Sequence, residues 1–82
     1  MQNDAPHVGA LAALTANELN ESLGAMLINC DASLRWLDRA KPDLSEARTS
    51  MRQALADARR AAEIAARLRR LATPAQTSLV RS

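Results

Sequence analysis

Nine positions in the second half of the chain, Leu44, Ala47, Met51, Ala54, Ala58, Ala61, Ala65, Leu68 and Ala72, are apolar or small and step 3-4-3-4 without a break. That spacing holds one stripe on one side of a helix, and a strand, which alternates every second residue, cannot use it. Four heptads of it predict a helix over about 44–72. Prolines bracket the run. Pro42 stands in front and Pro74 behind, and Thr73-Pro74 predicts the stop, because the residue before a proline is pushed out of the helical region. At the other end, Asp43 with Glu46 three residues on forms a capping box with Asp in the Ser/Thr place.

The first half carries a second such period. From about Gly9 to Ala40 there is no proline, and Ala13, Ala16, Asn20, Leu23, Leu27, Cys30, Leu34 and Leu37 again step by three and four. Arg39-Ala40-Lys41-Pro42-Asp43 ends this helix, and so short a connection folds the two helices back antiparallel. The expected organisation is a loose tail over 1–8, helix 1 over about 9–40, a turn at 41–43, helix 2 over about 44–72, and a tail or linker stump over 74–82.

Both helices are apolar beyond one stripe. Leu11, Leu14, Leu19, Met26 and Ile28 widen the first, and Leu55, Ala62, Ile64 and Leu71 the second. Two strands of a coiled coil cover less than this, whereas four helices cover it. Composition sharpens the point: 48% of residues are hydrophobic, yet there is one Trp and no Phe or Tyr. Burial rests on Leu, Met, Ile and many alanines, and an Ala methyl contributes about a third or less of a buried Leu. A chain of 82 residues with one cysteine and no metal-ligand cluster has no internal staple, which leaves association. The predicted fold is therefore all-α, an antiparallel two-helix hairpin that dimerises into a four-helix bundle. Its expected core is Leu23, Leu27, Cys30, Leu34, Leu37, Leu44, Met51, Leu55, Ala58, Ala61, Ala65 and Leu68. Asn20, the polar member of the first stripe, reads as a register device.

Charge excludes little but points away from polyanions. The net charge is +2, and the one concentration, Arg67-Leu68-Arg69-Arg70 preceded by Arg59-Arg60, suits a helix C-terminus and an i,i+4 pair from Glu63 to Arg67. No nucleic acid and no membrane span are expected, and no cofactor or metal. The N-terminus lacks the basic and apolar run of a signal peptide, so a cytoplasmic location is expected. The glycines, Gly9 and Gly24, make no nucleotide-binding box.

One stretch carries a sharper pattern. Asn17-Glu18-Leu19-Asn20-Glu21-Ser22-Leu23 resembles the box His-Glu-x-Asn-Gln-Pro-Leu found in the first helix of the dimerisation and phosphotransfer domain of two-component sensor histidine kinases. Glu18, Asn20 and Leu23 are identical to it, and Glu21 replaces an amide by a carboxylate. Asn17 and Ser22 depart from it. Residues 24–37 also resemble that first helix, and 61–71 the end of the second.

The resemblance implies that Asn17 occupies the phosphoacceptor position. An amide nitrogen has its lone pair delocalised into the carbonyl, so it is neither a nucleophile nor a base near neutral pH. By the same resemblance Glu18 is the acidic neighbour of an absent histidine, and a carboxylate at Glu21 repels a phosphoaspartate. Ser22 in place of proline implies a straighter helix. The function implied is a degenerate dimerisation or docking module, with a response-regulator receiver domain as partner and no enzyme activity in this chain. The alternatives are a structural helical-bundle or coiled-coil adaptor without signalling ancestry, and a fragment of a conventional histidine kinase with Asn17 introduced. His7 reads as a surface residue, Cys30 as a small core residue, and Trp36 as packing over the end of the bundle near the turn.

Overall fold

A computed structural model describes residues 4–81, and the side-chain surroundings of residues 9–71 within them. They form two helices, α1 (Asp4–Leu37) and α2 (Leu44–Arg81), packed on each other as a hairpin. The pairing is antiparallel: Ser33 late in α1 meets Ala47 early in α2, while Ser22 meets Asp57 further along.

The turn is built as its residues require. The Asp38 N–H donates to the Leu34 carbonyl at 2.8 Å, and the Asp43 N–H returns to the Trp36 carbonyl at 3.0 Å. Asp43 then caps α2. Its Oδ1 accepts the Glu46 N–H at 3.0 Å, and its carbonyl accepts the Ala47 N–H at 3.0 Å. The helix bounds differ from the sequence expectation in three places. α1 closes at Leu37, short of Ala40, because the chain uses residues 38–43, Pro42 among them, to reverse direction. It starts at Asp4, and Pro6 fits there because an N–H in the first turn has no helical acceptor. α2 runs on through Thr73-Pro74 to Arg81, so the proline removes one helical hydrogen bond without ending the helix. The remaining tail residues, 1–3 and 82, lie outside the described residues.

The seam between the helices is small and polar at most of its buried positions, with larger apolar side chains half-buried beside them. On α1, Thr15, Ser22 and Ser33 are buried, with Leu19, Met26, Asn29 and Trp36 half-buried. Together they step 4-3-4-3-4-3, one position to the side of the stripe singled out in the sequence. On α2, Ala47, Ala54, Ala61 and Ile64 are buried, with Ser50, Asp57, Leu68 and Leu71 half-buried. Each buried hydroxyl has an acceptor: Ser33 Oγ donates to the Ala47 carbonyl at 3.0 Å, Ser22 Oγ to the Asp57 carbonyl at 3.3 Å, and Thr15 Oγ1 back to the Leu11 carbonyl at 2.8 Å. Such bonds remove the desolvation cost of placing hydroxyls between helices.

Most of the large apolar side chains lie elsewhere. Leu23, Leu27, Leu34 and Leu37 on α1, and Leu44, Met51 and Leu55 on α2, are exposed, from 37% at Leu23 to 67% at Leu27. Ala61 is buried in the hairpin seam and Leu68 half-buried in it, and Cys30, Ala58 and Ala65 are half-buried at its edge. At about 100° per residue, the exposed stripe of each helix lies roughly 100° further round than its buried stripe. Because the helices are antiparallel, equal rotations bring both stripes to the same side, and the hairpin presents one continuous apolar face.

Candidate functional site

The Asn17–Leu23 box sits in the middle of α1, and helical spacing fans its side chains in different directions. Asn17 is exposed on the side of α1 that points away from α2. Glu18, Asn20 and Glu21 are also exposed, Leu19 is half-buried in the seam, and Ser22 is buried at 5%. Leu23 opens the apolar face. The box therefore touches the outer surface, the seam and the apolar face at once.

Opposite the apolar face, Glu18, Glu21, Ser22, Ala25, Asp57, Arg60 and Ile64 line a shallow groove of about 130 Å³. Two of its three carboxylates are engaged, and Glu21 is exposed. Glu18 reaches across the hairpin to the Arg67 guanidinium at 3.6 Å, and Asp57 Oδ2 accepts the Asn29 amide at 2.9 Å. Arg67 thus pairs between helices and not with Glu63 four residues before it, and both partners are about half exposed, so the contact contributes little. Asn17, an amide without nucleophilic character, lies outside this groove, whose Glu18 and Asp57 are held by donors while Glu21 is exposed.

Sequence reasoning singled out Glu18, Glu21 and Ser22, and the groove gathers all three. It missed Asp57, Asn29 and Ser33. A signal existed: Thr15, Ser22, Asn29 and Trp36 recur every seventh residue, but a count of apolar residues passes over a polar heptad. Near the turn, the Arg39 guanidinium lies 4.9 Å from the centre of the half-buried Trp36 ring. Cys30 is a free, half-buried thiol. The side chain of His7 lies outside the described residues. Among the described residues no helix is long and apolar enough to cross a membrane.

The class defined so far is an all-α hairpin with a polar seam and an uncovered apolar face. Comparison with known proteins adds a relative. The chain is 35% identical over 57 residues, 70% of its length, to the sensor histidine kinase TmoS of Ectopseudomonas mendocina. The match spans 6% of that much larger protein. It relates most of this hairpin to a segment of a sensor histidine kinase. No family model matches the chain, and no solved structure does.

Proposed function

We propose that the hairpin is a dimerisation module of histidine-kinase type whose phosphoacceptor position is occupied by Asn17, so that it assembles and docks but is not phosphorylated. The observation that carries this reading is the apolar face. Leu23, Leu27, Leu34, Leu37, Leu44, Met51 and Leu55 are exposed together on one side of both helices, which is more contiguous apolar surface than a lone hairpin leaves in water. Two such faces packed together form a four-helix bundle. The relation to a kinase segment and the exposed Asn17 in the box support the same reading. The groove around Glu18, Glu21 and Asp57 lies outside such a bundle and stays open to a receiver-type partner.

Incubation with an active histidine-kinase catalytic domain and labelled ATP tests the phosphoacceptor. The expected result is no acid-labile label on the natural chain and label on Asn17→His; label on the natural chain overturns it. Sedimentation equilibrium tests the assembly, with a dimer expected and a folded monomer at high concentration as the contrary result.

A further inference from the structure

The charge of the hairpin is divided between its helices. Within the side-chain-described part, α1 carries Glu18, Glu21 and Asp31 against Arg35, whereas α2 carries Arg48, Arg52, Arg59, Arg60, Arg67, Arg69 and Arg70 against Glu46, Asp57 and Glu63. Position on the helix matters more than the totals. Counting about 100° per residue from the seam, Asn20 stands at the outer edge of the apolar stripe of α1, in line with Leu27 and Leu34, and Asp31 lies beyond it on the outer flank. On α2, Arg48 stands at the outer edge of the apolar stripe, in line with Leu55, and Arg52 and Arg59 lie just beyond it on the outer flank. All five are exposed. Among the described residues Arg48 and Arg52 have no carboxylate partner, while Asp31 has only the solvent-facing Arg35 one turn on, at 2.9 Å.

The hairpin's own register sets the heights. Ser33 is level with Ala47 and Ser22 with Asp57, so Asp31 stands level with the turn of α2 between Arg48 and Arg52, and Asn20 level with Arg59. Inside one chain these groups point outward from opposite edges and do not meet. A two-fold axis parallel to the helices changes that. It sets α1 of one copy beside α2 of the other at unchanged heights, and the two flanks then close on each other. A two-fold axis across the helices instead sets α1 on α1 and α2 on α2, which opposes arginine to arginine along the whole second pair.

Resting on the dimer reading above, we propose that Asp31 of each copy pairs with the partner's Arg48 and the partner's Arg52, and that this clamp, formed twice per dimer, selects the parallel-axis arrangement and the choice of partner. Burial of the apolar face supplies affinity without direction, whereas flanking charges decide which helix lies against which.

Charge reversal tests this on the full chain. Asp31→Arg alone and Arg48→Glu/Arg52→Glu alone are each expected to raise the dimer dissociation constant by about tenfold or more, since both place like charges at the flank. Mixed in equal amounts, the two variants are expected to form heterodimers nearly exclusively, read by native mass spectrometry, because the reversed charges are again complementary. The mixture also controls for folding, since a variant that cannot fold does not rescue its partner. Arg35→Ala, which removes only the contact within α1, is expected to leave the constant within about twofold. Variants that dimerise like the natural chain and mix statistically overturn the clamp and leave the dimer standing. A natural chain that stays monomeric and folded overturns the dimer reading, and the clamp falls with it.

Discussion

The two apolar-spaced surfaces of this hairpin use opposite residue types. Where α1 meets α2, the most buried positions are Thr15, Ser22 and Ser33 against Ala47, Ala54, Ala61 and Ile64, mostly small groups that let the helices approach closely, and Ser22 and Ser33 bond to the backbone of α2. A quarter-turn away, Leu27, Leu34, Met51 and Leu55 stand in solvent. A single chain that folded for its own sake would place more of its leucines between its helices than Leu19, Leu68 and Leu71, because a fully buried Leu contributes about 1.5–3 kcal/mol and a buried, bonded hydroxyl far less. In the proposed dimer this division has a purpose: the inner seam sets register, and the outer face supplies energy when two copies pack together.

The largest expected effect strikes the outer face. Leu27→Asp places a charge in the centre of the proposed bundle from both copies, and sedimentation should show the dimer dissociation constant rising by about a hundredfold or more. If dimerisation is unchanged, the division between the two surfaces is wrong. Ala54→Leu strikes the seam, where Ala54 is 3% exposed. The added side chain forces the helices apart and should cost about 1–3 kcal/mol, read as a lower midpoint in thermal unfolding. Ser33→Ala keeps the close approach but removes the bond to the Ala47 carbonyl, for a loss of about 1 kcal/mol and a fall of several degrees in the same measurement. Glu18→Gln weakens an exposed ion pair at 3.6 Å and should shift stability by less than about 0.5 kcal/mol, within a degree or two of the natural chain.

The hairpin was legible in the sequence because its cues are local. Two uninterrupted 3-4 periods, Pro42 and the Asp43 cap with Glu46 dictate two helices and a tight reversal whatever surrounds them. Which stripe faces which was not legible. The apolar stripe through Leu23 and Leu27 scores higher than the polar one through Ser22 and Ser33, and a serine becomes a seam residue only once a carbonyl of the other helix stands in reach. Pro74 misled for a related reason. Its penalty is one lost hydrogen bond and a local clash, a sum that a long helix absorbs when the turns on either side persist. At the box, Glu18 and Ser22 were found by their place in a pattern, but the partners that occupy them, Arg67 and Asp57, lie more than thirty residues away and obey no local rule.

The two serine bonds have a mechanical consequence. They bridge the helices at points eleven residues apart on α1, about 16 Å along the axis, like two rungs of a ladder. Sliding one helix past the other strains both rungs at once, whereas swinging the free ends apart about the turn loads mainly the one further from it. The hairpin is thus stiff against shear and compliant against splaying, so an axial push on α1 is carried through the turn into α2 in step, and a sideways pull opens the pair from its far end.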